Sequence, residues 1–120
     1  KKYGGKGGSI VNLSSGAAKY GSPGEYVDYA ASKAAIDTLT IGLAREVAEE
    51  GIRVNAVRPG FIDTEIHQSG GEPDRMERVR PLVPMKRVGQ ADEVADAIMW
   101  LLSDKASYTT GTILDVSGGR

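Results

Sequence analysis

The chain has 120 residues, 40% of them hydrophobic, and 15 Lys and Arg against 16 Asp and Glu leave a net charge of −1. This is the length of one domain with enough apolar side chain for a core, and the even charge gives no net field to attract nucleic acid or an anionic membrane. With no cysteine, disulfide and thiol chemistry are excluded and the composition leans toward the cytoplasm, while no apolar run approaches the roughly 20 residues of a membrane span.

The opening KKYGGKGG is basic, glycine-rich and reads as a loop. SIVNLSS follows, where Ile10, Val11 and Leu13 make an apolar run of strand length over residues 9–14 that ends in small polar residues. GAAKYGSPGEYVD reads as a loop, with Asp28 placed to N-cap a helix beginning at Tyr29. From Tyr29 to Glu50 the pattern predicts one long helix. Ile36, Leu39, Leu43 and Val47 form a stripe, which Ala30, Ala34, Ile41, Ala44 and Ala48 widen past a single face, and Gly51 suits the C-cap. A helix this apolar around its girth predicts cover on two sides, a sheet on one and another helix or subunit on the other, hence an oligomer interface.

IRVNAV reads as a second strand, broken by Pro59 and Gly60. Residues 61–90 hold three of the five prolines, a glycine pair and a charged cluster that predicts a short helix near residues 74–80. An irregular segment of this length predicts a lid. ADEVADAIMWLLSD reads as an amphipathic helix with Val94, Ile98, Leu101 and Leu102 on one face and Asp92 and Glu93 in its first turn. GTILDVSGG closes as a third strand. The alternation of apolar strands and helices predicts an α/β fold, part of a doubly wound, Rossmann-like parallel sheet of three strands with crossover helices. Three strands are few, and the open edge beside residues 9–14 invites pairing. A larger sheet, completed by a segment outside this sequence, is therefore expected.

In such sheets ligands bind beyond the carboxyl ends of the strands. Ser14 and Ser15 end the first strand, Pro59 and Gly60 end the second, and the helix with Tyr29 and Lys33 starts between them. Of five tyrosines only Tyr29 has a lysine four residues later, the spacing that stacks side chains on one helix face; Tyr26 lies seven before Lys33, in the polar lead-in. A free phenol titrates near 10. An ammonium about 4 Å away, at an effective dielectric of about 20, favours the phenolate by roughly 4 kcal/mol, which moves a phenol toward general acid-base use. A serine hydroxyl across the pocket could hold a substrate oxygen as its charge changes. Proton transfer of this kind suits an alcohol or carbonyl, and since no side chain accepts hydride, redox chemistry at that carbon requires a cofactor.

Other features carry less. His67, the only histidine, reads as solvated or substrate-facing, and no metal cluster can be assembled around it. GGKGG at residues 4–8 precedes a strand instead of following one, so it is not a dinucleotide turn. Arg75, Arg78 and Arg80 read as a solvated helix surface, and Trp100 as core or interface. A serine hydrolase would need a Gly-x-Ser-x-Gly elbow, which is missing.

IVNLSS, YAASK, RVNAVRPGFIDT and the ending GTILDVSGG, in that order, resemble the C-terminal half of a short-chain dehydrogenase/reductase over essentially the whole chain. The nearest likeness is to bacterial sugar dehydrogenase-like or acyl-carrier-protein-reductase-like members. The resemblance implies Tyr29 as the acid-base residue, Lys33 as the group that tunes it and anchors the nicotinamide ribose, and Ser15, rather than Ser14, as the partner of the substrate oxygen. It further implies that Pro59 and Gly60 shape the nicotinamide pocket, that the backbone of Ile62 meets the carboxamide and that Thr64 touches the carboxamide or a phosphate. The implied cofactor is NAD or NADP, the implied substrate a small alcohol or carbonyl compound, and the implied assembly a homotetramer built on helix 29–50. The glycine-rich turn, the residue selecting between the cofactors and the tetrad asparagine of that family would lie upstream. The competing expectation is a non-catalytic fragment or assembly module of the same fold, unable to bind cofactor alone.

Overall fold

Val54, Ala56 and Val57 have no exposed surface, as befits the middle strand of a sheet covered on both faces. The computed structural model describes residues 4–64 and 74–120. Within them β1 (Gly8–Leu13) leads through the short α1 (Ala17–Tyr20) to the long α2 (Val27–Val47) and then to β2 (Ile52–Pro59). After β3 (Ile62–Asp63) come α3 (Arg75–Val79), β4 (Gly89–Gln90), α4 (Ala91–Leu102) and β5 (Ile113–Val116).

The main sheet has the order β1-β2-β5, all parallel, with Gly8 opposite Ile52 through Leu13 opposite Val57, and Ala56 opposite Ile113 through Pro59 opposite Val116. Strand side chains alternate between faces, and the hydrogen bonds show which helix each face meets. Asn12 Nδ2 donates to Thr40 Oγ1 of α2 at 3.0 Å, whereas Ser9 Oγ donates to the Leu101 carbonyl of α4 at 3.1 Å. Helices therefore cover opposite faces, the doubly wound α/β arrangement expected from the strand-helix alternation. Asn55, wholly buried, is satisfied at both ends of its amide. Its Nδ2 donates to the Thr109 carbonyl and its Oδ1 accepts from the Thr112 N–H, both at 3.0 Å, which ties β2 to the turn entering β5.

Several boundaries differ from expectation. Helix α2 starts at Val27 with Tyr26 as its non-helical N-cap, so Asp28 lies inside the first turn and does not cap; there its charge still suits the helix N-terminus. Residues 48–50 tighten into a 3-10 turn, and Gly51 takes the left-handed C-cap conformation as expected. The loop before α2 contains the single turn α1, bounded by Gly16 and Gly21. The last helix stops at Leu102, and Asp104 belongs to a separate 3-10 turn. The third main strand is only four residues, Ile113–Val116. Segment 61–90 contributes an unforeseen ladder, Ile62 opposite Gly89 and Asp63 opposite Gln90. Its short helix falls at Arg75–Val79, and residues 65–73, with His67, lie outside the described residues.

Of the apolar stripe of α2, Ile36, Leu43 and Val47 are half-buried and only Leu39 is turned out. The buried residues of the helix are Ala30, Thr40 and Ala44, while Leu39 is 55% exposed. The most deeply buried positions are small side chains, which let the helix axis approach the β-layer. On α4, Leu101 is fully buried but Leu102, one residue and about 100° further round, is exposed together with Trp100. No helix among the described residues is long and apolar enough to cross a membrane.

Candidate active site

A cleft of about 1300 Å³ lies beyond the carboxyl ends of β1 and β2, where α2 begins. Ser15, Tyr29, Pro59, Gly60, Ile62 and Thr64 all line it, together with Ser14. Its floor is made where the strands run out. The N–H groups of Ser14, Gly16 and Gly60 donate to the carbonyls of Val57, Pro59 and Val116, each at 2.9 Å, extending the sheet bonding past the strand ends. Gly60 is required there: a Cβ at this position would fall 2.9 Å from Ser117 Cβ and 3.0 Å from its Cα. The Pro-Gly break in the sequence is thus a place where β2 and the end of β5 meet without a side chain between them.

Tyr29 projects from the first turns of α2 and is 45% exposed. Lys33, one turn on, does not line the cleft. Its Nζ stands 5.7 Å from the centre of the Tyr29 ring and donates to the Leu13 carbonyl, the last residue of β1, at 3.1 Å. The spacing-based pairing of Tyr29 with Lys33 is present as a cation against a ring, with the cation tethered to the strand end. Among the described residues no group of His, Cys, Asp or Glu could hold a metal ion.

The two serines differ in what their hydroxyls do. Ser14 is 5% exposed, and its Oγ donates to the Lys33 carbonyl at 3.3 Å, pinning α2 to the end of β1. Ser15 Oγ accepts the Ala17 N–H at 3.1 Å. A hydroxyl that accepts locally keeps its own hydrogen to donate elsewhere, and that hydrogen is available to the cleft.

Behind the floor, Arg58 of β2 grips Asp115 of β5 with Nε at 2.6 Å and Nη2 at 3.1 Å, and reaches Asp37 of α2 with Nη1 at 3.3 Å. The hydrogen bonds from Arg58 hold the Asp115 carboxyl below its ordinary value, and the same bonds raise the guanidinium. These contacts fix α2, which carries Tyr29 and Lys33, against the strands that carry Pro59 and Gly60.

Sequence reasoning did not anticipate the aromatic and cationic wall formed by Tyr20, Phe61 and Arg120, all of which line the cleft. Phe61, directly after the Pro-Gly break, carried the one local signal. Tyr20 and Arg120 lie 100 residues apart and meet only through the topology.

The profile of the family described as Enoyl-(Acyl carrier protein) reductase matches residues 1–120. The uncharacterized oxidoreductase YgfF of Escherichia coli (strain K12) is 69% identical over 119 residues, covering 99% of this chain and 48% of that protein. The 3-oxoacyl-(acyl-carrier-protein) reductase FabG of Thermotoga maritima is 46% identical over 112 residues, covering 93% of this chain and 45% of that protein. Among solved structures, a 3-oxoacyl-(acyl-carrier protein) reductase from Brucella melitensis with bound NAD superimposes with a TM-score of 0.82 at 44% identity, covering 92% of this chain and 40% of that one. The chain thus spans about half the length of the curated relatives it matches.

Proposed function

This chain belongs to the short-chain dehydrogenase/reductase family, and on that premise we propose that it supplies the catalytic half of an NAD- or NADP-dependent oxidoreductase interconverting a secondary alcohol and a ketone. The observation that carries this reading is that Ser15 and Tyr29 line one cleft at the strand ends, with the Lys33 cation against the Tyr29 ring.

The residues present fit a nicotinamide nucleoside. Lys33 uses one of its three ammonium donors on the Leu13 carbonyl, leaving two for the hydroxyls of a ribose. Pro59 and Gly60 offer a wall free of polar side chains, and Ile62 and Thr64 follow it along the cleft, the backbone of the one and the hydroxyl of the other serving a carboxamide or phosphate. When bound, the cofactor supplies the hydride acceptor or donor that no side chain can provide.

In the oxidative direction the Tyr29 oxygen takes the proton from the alcohol, and in the reductive direction it returns that proton to the carbonyl oxygen. Ser15 donates its hydroxyl hydrogen to the same substrate oxygen, strengthening as negative charge grows there. Lys33, held by the Leu13 carbonyl, keeps its cation against the Tyr29 ring and the pair in register.

A dinucleotide-binding half of the kind that the relatives' extra length could contain would complete the site. The isolated 120-residue chain is accordingly read as inactive. The exposed Leu39 and Ile41, on either flank of buried Thr40 in α2, support pairing of that helix with a second subunit, as in a homotetramer, and the absence of cysteine is in keeping with a cytoplasmic setting.

Tyr29→Phe in the full-length protein tests the assignment. Nicotinamide-linked turnover should fall by about 10²- to 10⁴-fold, the range for loss of a general acid-base group, while cofactor affinity followed by nicotinamide fluorescence stays within a few-fold. Turnover close to that of the unmodified protein would show that the phenol is not the proton carrier.

A further inference from the structure

Arg120 is held in an unusual way. Its guanidinium carbon lies 4.7 Å from the centre of the Tyr20 ring and 4.7 Å from that of Phe61. The two aromatic rings thus fix its position. A cation against aromatic rings is held by the ring electrons and needs no hydrogen-bond acceptor. Among the described residues the guanidinium N–H donors of Arg120 have no side-chain or backbone acceptor and no ion pair, although Arg120 is only partly exposed. Its donor edge is open to solvent in the cleft and, among the described residues, unused.

Arg120 also lines both the cleft of about 1300 Å³ that contains Tyr29 and a smaller adjoining cavity of about 500 Å³. The acidic groups of the smaller cavity are already engaged. Glu93 is gripped by both terminal nitrogens of Arg87, at 2.7 and 2.9 Å, and Asp115 by two nitrogens of Arg58. Lys19, in the same lining, lies over the Tyr20 ring at 5.4 Å, and its Nζ donates to the Arg120 backbone oxygen at 3.4 Å. Its field also reaches Asp115. Among the described residues the one further carboxylate of the larger cleft is Glu25, which is exposed. Among the described residues, what remains at the junction of the two cavities is an excess of positive charge with a planar fork of donors.

We infer that Arg120, held against the Tyr20 and Phe61 rings, binds an anionic group of the substrate, a carboxylate or a phosphate, and so selects charged over neutral carbonyl compounds. The fork of N–H donors matches two oxygens of either anion, and Lys19 adds a second positive charge nearby. This rests on the reading of the Tyr29 cleft as a substrate site, and it adds the substrate class.

The test is calorimetric titration of the full-length protein, with oxidised NAD and NADP both present so that ketones bind without reacting, at fixed ionic strength. The probes are acetoacetate, dihydroxyacetone phosphate and neutral methyl acetoacetate. In the unmodified protein at least one anion binds saturably, and which of the two does so identifies the carboxylate or the phosphate as the group recognised. Arg120→Gln should weaken that anion at least tenfold, and Arg120→Lys, which keeps the charge but loses the fork, several-fold. Methyl acetoacetate should stay within twofold in both. No saturable anion binding by the unmodified protein, unchanged anion affinity in the variants, or parallel weakening of anion and ester would each overturn the inference. If Arg120→Gln does not fold, Arg120→Lys is read by the same criteria. Tyr29-dependent turnover of a neutral ketone is measured separately, so the anion site and the oxidoreductase reading can fail independently.

Discussion

At the scale of single residues, the two adjacent serines at the end of β1 make different contacts. Ser14 is buried and its hydroxyl donates to the Lys33 carbonyl, whereas Ser15 accepts a backbone N–H and lines the cleft with a hydrogen to give. Ser14→Ala removes a largely buried hydrogen bond, so it should lower stability by about 1 kcal/mol, read from denaturant unfolding, with turnover changed only a few-fold. Ser15→Ala should leave stability within about 0.5 kcal/mol, as substitutions away from buried partners usually do. On the proposed mechanism it should instead lower kcat by at least about tenfold, because there the lost donor acts where charge develops. The reverse pattern, activity lost with Ser14 and retained without Ser15, would reassign the substrate contact. Tyr29 and Lys33 were legible in the sequence because a four-residue helical spacing is a local fact. That Lys33 is tethered to the Leu13 carbonyl was not, since the bond spans 20 residues.

At the scale of elements, α4 is held at its start by a carboxylate with two tasks. Glu93 accepts the N–H of Gln90, the N-cap, at 3.1 Å, completing a capping box with the Gln90 side chain, and it also takes both terminal nitrogens of Arg87. Its carboxyl is lowered from 4.5 to about 2, first by the hydrogen bonds from Arg87 and then by that from Gln90. A depressed carboxyl contributes stability that is complete above its ordinary value and disappears as pH falls through the folded one. The Arg87–Glu93 link should therefore persist at neutral pH and open progressively between about 4.5 and about 2. Carbon-detected NMR of Glu93 should show a midpoint near 2, and Arg87→Met should move it upward toward 4.5. A midpoint near 4.5 in the unmodified protein would mean that the pair does not persist in solution. The acidic first turn of this helix was visible in Asp92 and Glu93, because dipole and capping preferences act over one turn. The two-residue ladder of β3 and β4 was not, since so short a pairing leaves no periodicity. On α2 the apolar surface that includes Ala30 and Ala44 was legible, but buried Thr40 was not, because its place on that face depends on hydroxyl bonds to the Ile36 carbonyl and to Asn12 of β1.

At the scale of the whole molecule, the three-stranded sheet is asymmetric. β2 is paired on both sides, β5 and β1 on one. β1 is six residues long, and its Ile10 and Leu13 are 43% and 53% exposed, one on the face toward α2 and the other on the face toward α4. Apolar side chains left open on both faces of a strand, beside an unpaired backbone edge, mark a strand built to have a neighbour. The apolar run at residues 9–14 carries this signal in the amino-acid order itself, because a strand covered on both faces needs no polar alternation. The chain expressed alone should therefore self-associate. Sedimentation velocity should show its mean mass rising with concentration over the micromolar range, whereas the full-length protein gives one discrete species. Val11→Pro would remove a backbone donor and fix φ at the middle of β1. If the bare edge drives association, this change should weaken it in the isolated chain. A sharp, concentration-independent monomer boundary for the 120 residues would show that β1 tolerates solvent on its open side, and the case for a missing neighbouring strand would fall with it.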